Sequence, residues 1–213
     1  MIKAVFFDVA NTLLYKPSLF VEINSILKEE GVCIPLQVLK ERHQLVSEIV
    51  TFPDVTSKIF YEEFNRLYLM ALGIEPTERL LAKIYNRCKY LPWERFADLD
   101  TIKDLNVPIG IISNWNKSLP SVLSDFFPEL NFEWLLGSET MKIRKPSIDF
   151  YKLIIDKTAL MPNEILYVGD SIKLDIVPAR SLGINSILID REIHFPYANI
   201  ERIESMKELI DFL

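Results

Sequence analysis

Short apolar runs recur along the chain and end abruptly on polar residues. Residues 2 to 8 (IKAVFFD), 107 to 113 (VPIGIIS), 165 to 170 (ILYVGD) and 185 to 190 (NSILID) are rich in β-branched and aromatic side chains and do not alternate strictly. Unbroken apolarity of this length marks strands buried on both faces, the habit of parallel sheets. Residues 132 to 137 (FEWLLG) form a weaker fifth candidate. Between the runs, apolar positions move to three- and four-residue spacing, which predicts helices over roughly 98 to 106, 118 to 126, 147 to 159, 172 to 182 and a C-terminal segment after 202. Alternation of the two textures from 107 onward predicts an α/β fold built on a doubly wound, mainly parallel sheet.

Residues 15 to 92 have a different texture, without a convincing strand. Four helical patterns fill them: 18 to 30 ending before Gly31, 35 to 51 opening at Pro35, 54 to 72 between Pro53 and Gly73, and 76 to 90 opening at Pro76. The expected organisation is a core of residues 1 to 14 plus 93 to 213, with a helical domain, 15 to 92, inserted after the first strand. Phe60, Phe64, Leu67, Tyr68 and Ala71 recur at helical spacing, which favours packing against neighbouring helices over an aromatic ligand box. The insert begins six or seven residues after Asp8, so it leaves the core from the C-terminal edge of that strand.

A chain of 213 residues, 49% of them hydrophobic, can bury a substantial core. No apolar run approaches the roughly 20 residues that span a bilayer, and no signal-peptide pattern opens the sequence. Neither a membrane partner nor export is therefore expected, and the cytoplasm is the expected location. A net charge of -6 with no Lys/Arg block argues against nucleic acid. Cys33 and Cys88 stand singly, as reduced thiols do.

In open α/β sheets, ligands bind beyond the carboxyl ends of the strands. Asp8, Ser113 and Asp170 each close a separate apolar run. Individually each has a plain structural explanation: Asp8 can cap a turn, Ser113 can bond its own loop, and Asp170 can cap the helix after it. Their coincidence at three strand ends is harder to dismiss. In GDSIKLD, Asp170 and Asp175 stand five residues apart across a strand-to-helix turn. Crowding both against Asp8 is unfavourable unless a cation sits among them, and hard oxygen donors favour Mg²⁺ over zinc. Lys145, just before Pro146, is solvated in its plain reading. Facing Asp8 and a bound anion, it would neutralise charge on both. Ser113 and Asn114 lie ahead of a helix opening near Ser118 and Pro120, a suitable anion cradle. Loop packing is expected for Trp115, and surface or packing roles for His43 and His194.

These segments together resemble the haloacid dehalogenase (HAD) superfamily: Asp8-Val-Ala-Asn-Thr12, Ile-Ile-Ser113-Asn114, Lys145-Pro146 and Gly169-Asp170-Ser-Ile-Lys-Leu-Asp175. The resemblance implies a Rossmann-like core with a helical cap and a small phosphorylated substrate. It makes Asp8 the nucleophile and assigns Mg²⁺ to Asp8, the backbone carbonyl of Ala10 and Asp170. Ser113 and Lys145 would stabilise phosphoryl oxygens, Asn114 and Asn11 would contact the substrate, and Asp175 and Thr12 would support the ligands from behind. One departure stands out. The family's phosphatases place an acid/base Asp two residues after the nucleophile, where this chain has Ala10; loss of such a group removes about 10² to 10⁴ in rate. Asn11, where Gly is frequent, is a milder change because Asn tolerates positive φ. Besides a Mg²⁺-dependent phosphatase, three readings stay open: a weakly active or inactive binding or regulatory protein, carbon–phosphorus cleavage through a cap lysine such as Lys58, and haloacid dehalogenation.

Overall fold

The computed structural model describes residues 1–53 and 57–213. Along the chain, strand β1 (Ala4–Phe7) is followed by a short strand β2 (Leu14–Tyr15), helices α1 (Leu19–Glu29), α2 (Leu36–Ile49), α3 (Lys58–Ala71) and α4 (Glu78–Cys88), and a short strand β3 (Glu94–Arg95). The remainder runs β4 (Ile109–Ser113), α5 (Leu119–Phe126), β5 (Phe132–Gly137), α6 (Ser138–Met141), α7 (Ile148–Thr158), β6 (Ile165–Gly169), α8 (Val177–Ser181), β7 (Asn185–Ile189) and β8 (Arg202–Ile203). Six strands form one sheet in the order β5-β4-β1-β6-β7-β8, with neighbours parallel; β2 and β3 form a separate two-stranded sheet. The chain divides into two compact units, Met1–Tyr15 with Arg95–Leu213, and Lys16–Glu94.

In the first unit every residue of β1, β4 and β6 is buried, which is why these runs carry no polar alternation. Ala4, Phe6, Ile112, Phe150, Ile154 and Ile165 belong to one core cluster. Phe6 stacks on Trp134 with ring centroids 5.3 Å apart, and its ring fills the space that Gly110 leaves on β4. This places the candidate strand FEWLLG firmly in the sheet as β5.

The second unit is a bundle in which α1 packs on α2 and α4, and α3 on α2 and α4. Ile23, Ile26, Leu39, Phe64, Tyr68 and Leu81 build its interior. Ser57 and Thr77 cap α3 and α4 by accepting the amides of Phe60 and Leu80. Gly31 and Gly73 adopt φ of 78° and 74° just past α1 and α3. His43 presents its ring to Phe20, Phe64 and Tyr68 at centroid distances of 5.2, 5.0 and 5.4 Å, a packing role.

The structure revises several expected elements. Residues 98 to 106 form only a 3-10 turn, Leu99–Asp104. The helix expected over 172 to 182 opens with a turn of π-helix, Ile172–Ile176, before α8. Ile176 and Val177 donate to the carbonyls of Ser171 and Ile172, five residues back, and Pro178 has no amide with which to tighten the turn. The C-terminal segment is β8 and a 3-10 helix, Met206–Phe212. Of the helix expected over 54 to 72, residues 54–56 lie outside the described residues. Among those described, no helix is long and apolar enough to cross a membrane.

A methyl group at position 110 would run into the Phe6 ring. Gly110→Ala should therefore lower stability by about 1 to 3 kcal/mol, as overpacking does; a urea midpoint equal to wild type would show that the ring has room to move.

Candidate active site

Strand order reverses around β1, which has β4 and β5 on one side and β6, β7 and β8 on the other. Asp8 follows β1, and its amide donates to the Val168 carbonyl at 2.9 Å. Ser113 closes β4 and Asp170 follows β6, so the three strand-end residues stand on neighbouring strands at one edge. This is where a doubly wound sheet opens a crevice.

Lys145 reaches the same place from the loop before α7. Its backbone is gripped by Asn114: the Lys145 amide donates to Asn114 Oδ1 at 2.8 Å, and Asn114 Nδ2 donates to the Lys145 carbonyl at 3.1 Å. The side chain is 2% exposed. Its ammonium donates to Asp8 Oδ1 at 2.6 Å, Asp175 Oδ1 at 2.7 Å and the Tyr167 hydroxyl at 3.1 Å, using all three of its protons.

Asp175 is occupied on both oxygens. Oδ1 also accepts from the Tyr167 hydroxyl at 2.7 Å, and Oδ2 accepts the Ser171 amide at 3.0 Å. Tyr151 donates to the Leu174 carbonyl at 2.6 Å and lies 3.4 Å from Asp175 Oδ1. Gly169 is required here, because a Cβ would strike the Asp175 carboxyl group. Burial raises the Asp8 pKa and the Asp175 charge adds to this, while Lys145 and a hydrogen bond from Ser113 only partly offset them. For Lys145, burial opposes the charged form, but Asp175 and Asp8 outweigh it and hold the ammonium protonated. Burial, reinforced by the Asp175 charge, keeps Tyr151 and Tyr167 as neutral donors.

The loop after Asp8 is closed by Leu13 and Leu14, which both donate to the Val9 carbonyl at 2.9 Å, and by Asn11, whose amide donates to the Leu14 carbonyl at 2.7 Å. Ala10 pairs with Leu14 in an isolated bridge. Asn11 sits at φ 57°, the left-handed region, and donates from Nδ2 to Asp170 Oδ2 at 3.3 Å. Thr12 is fully buried and its hydroxyl has no hydrogen-bond partner among the described residues. Among the described residues, Asp8, Asp170 and Asp175 each bring a carboxylate oxygen within 4.8 Å of the others. Carboxylate oxygens brought this close together form a donor set of the kind that suits Mg²⁺.

The Asn114 side-chain amide holds the Lys145 backbone, and Asn11 Nδ2 donates to Asp170. Trp115 donates to Ser118 Oγ at 3.1 Å, consistent with loop packing. Lys58 is an exposed residue of α3 paired with Glu62 at 3.4 Å. Sequence reasoning missed Tyr151 and Tyr167, which read as apolar core positions, and Arg191, which follows β7 at the same sheet edge. The carboxyl-edge rule applied to the NSILID run selects Asp190, the residue next to Arg191.

A family profile described as haloacid dehalogenase-like hydrolase matches residues 5–189. Haloacid dehalogenase-like hydrolase domain-containing protein 3 of Danio rerio is 24% identical over 161 residues, which cover 72% of this chain and 66% of that protein. Glyceraldehyde 3-phosphate phosphatase of Methanocaldococcus jannaschii is 26% identical over 237 residues, covering 100% of this chain and 97% of the relative. The crystal structure of an L-2-haloacid dehalogenase aligns with a TM-score of 0.66 at 18% identity, over 99% of this chain and 98% of its own. At that identity the likeness concerns the fold alone.

Replacing Lys145 by Met would leave Asp8 and Asp175 buried without their counter-charge, at a cost of about 3 to 5 kcal/mol at pH 7 in EDTA. The Asp8 pKa, already raised by burial, would lose the offset that Lys145 supplies and lie above its unfolded value, so the folded state would bind more protons and stability would rise as pH falls. Urea unfolding of Lys145→Met at pH 7 and pH 5 should show the deficit shrinking at the lower pH; a deficit independent of pH would mean that the two carboxylates do not share a field.

Proposed function

The chain belongs to the haloacid dehalogenase-like hydrolase family, and from that premise we propose a Mg²⁺-dependent phosphohydrolase that acts on a small phosphorylated substrate through an aspartyl-phosphate on Asp8. The observation that carries this reading is the division of labour among the carboxylates. Asp175 is committed to Lys145, Tyr167 and the Ser171 amide, while Asp8 and Asp170 stand within 4.8 Å of each other at the sheet edge.

In this scheme Asp8, the carbonyl of Ala10 and Asp170 would hold the cation, which when bound neutralises the ligand carboxylates and polarises phosphoryl oxygens. Asp8 is the nucleophile: its oxygen bonds to phosphorus as the leaving group departs in line, and water then releases phosphate and regenerates the carboxylate. Lys145 keeps Asp8 in place at 2.6 Å and supplies positive charge where the phosphoryl group gathers negative charge. Ser113, hydrogen-bonded to Asp8, offers its hydroxyl from the adjoining strand. Asn114 acts through Lys145, and Asn11 through Asp170.

Ala10 has no proton to give to a departing oxygen. The favoured substrates are therefore those whose leaving group needs none, the acyl and aryl phosphates. The same residue favours a second reading, a binding or regulatory protein that keeps the fold and the cation site but turns over little. Carbon–phosphorus cleavage at Lys58 is disfavoured by that lysine's exposure and its pairing with Glu62. Dehalogenation is disfavoured by Asp170, whose charge beside Asp8 would repel a haloacid carboxylate.

A screen of phosphate esters with and without Mg²⁺ tests the proposal. Aryl and acyl phosphates should be hydrolysed only with the cation, and Ala10→Asp should raise turnover of alkyl phosphates by about 10² to 10⁴. Retained Mg²⁺ binding without turnover in either protein would favour the regulatory reading, and halide release without metal would favour dehalogenation.

A further inference from the structure

The carboxyl end of β7 carries a constellation that the roles above do not use. Asp190, 4% exposed, accepts the amides of His194 at 2.8 Å and Phe195 at 2.9 Å, and Arg202 Nη1 at 3.3 Å. The turn it closes contains Ile193 at φ 55°, a left-handed conformation that β-branched residues avoid. Such a conformation persists only where its surroundings enforce it. The turn directs Arg191 back to the loop that follows Asp8.

There the guanidinium is used as a fork. Nη1 donates to the Asn11 carbonyl at 3.2 Å and Nη2 to the Thr12 carbonyl at 3.1 Å. Nε and Nη2 also donate to the two oxygens of Asp98, at 2.9 and 3.0 Å. Asp98 is itself held by the Met206 amide at 2.9 Å and Ser205 Oγ at 3.3 Å. The guanidinium lies 3.8 Å from the centroid of Phe96, which stacks on Tyr15 at 4.3 Å. Asn11, fixed at its carbonyl by Arg191, donates from its side chain to Asp170. A continuous polar path therefore joins Arg191, Asn11 and Asp170.

We propose that Arg191 is a positioning residue for the divalent-cation site, and that its fork, held by Asp98, fixes the Asn11–Thr12 segment and through it Asp170. This rests on the cation reading given above. Because Asp98 balances the charge of Arg191, the effect on the cation is geometric. A lysine would keep the charge but could not span a carboxylate and two carbonyls at once.

The test is a Mn²⁺ titration of the metal-free protein, followed by the paramagnetic resonance signal of the free ion, with folding checked by circular dichroism. Wild type should bind the ion. Arg191→Ala and Arg191→Lys should both weaken affinity about 10- to 100-fold, as loss of groups that orient metal ligands does. A folded Arg191→Ala variant with unchanged Kd would overturn the inference, even if its urea midpoint fell, since that pattern is what a purely structural role produces. If Arg191→Ala does not fold, Asp98→Asn decides: weaker Mn²⁺ binding supports the proposal, and wild-type binding overturns it. Absence of Mn²⁺ binding by wild type would instead sink the cation reading itself, and this inference with it.

Discussion

An ammonium group buried between two carboxylates has no tolerance for misplacement, and much of the surrounding sequence follows from that. Removing Lys145, Asp8 and Asp175 from water costs several kcal/mol per ion unless geometry and hydrogen bonding restore what is lost. The lysine backbone is therefore clamped by Asn114, its three protons are all taken, and Asp175 accepts on both oxygens. Two tyrosine hydroxyls enter an otherwise apolar core because they serve this group. Gly169 has no side chain because Asp175 occupies the space. Residues from β1, the loop after β4, the segment before α7, β6 and the π-turn are thus interlocked by one charge cluster. It is these long-range contacts, more than any local propensity, that fix where the nucleophile candidate lies.

The Asp170 side of Asp8 is organised differently. Asp170 is only partly buried and is held by Asn11, whose own conformation is left-handed. A loop of that kind needs an external brace. Arg191 supplies one from the far side of β6, linking the loop to Asp98 and through it to the start of the C-terminal 3-10 helix. The lysine cluster is buried, whereas Asp170 is partly exposed and the loop beside it is bonded to Arg191. That asymmetry suits a site in which one carboxylate pair must stay fixed while the other admits an ion and a substrate.

The pattern that was legible in the sequence has a common physical origin. Strands buried on both faces leave unbroken apolar runs, and a run that ends on Asp or Ser marks the sheet edge where ligands bind, so Asp8, Ser113 and Asp170 could be found by position. Asp175 and Lys145 could be suspected from charge crowding. The bonds that Asn114 and Asn11 make to Lys145 and Asp170 could not be read from the sequence, because those partners lie 31 and 159 residues away. Tyr167 and Tyr151 sit at positions that any core-forming aromatic would satisfy, and only the fold shows where their hydroxyls point. The 3-10 turn over Leu99–Asp104 and the π-turn at Ile172–Ile176 escaped for a related reason: both share helical spacing, and only backbone hydrogen bonds distinguish them.

Position 10 separates backbone from side chain in an instructive way. The loop around Ala10 is closed by the Val9 carbonyl, Asn11 and Leu14, none of which depends on the residue's side chain. The loop and the backbone carbonyl of position 10 therefore do not depend on which side chain stands there. On the proposed chemistry, formation of the aspartyl-phosphate from an alkyl ester would require expulsion of an unprotonated alkoxide, whereas an aryl or acyl phosphate releases an anion that is stable in water. The core would then discriminate among substrates by the acidity of the leaving group. Hydrolysis of the aspartyl-phosphate meets the same deficit, since the attacking water also loses its base. On that chemistry the slower second step would lengthen the life of the phosphorylated form, whatever the rate at which it is made.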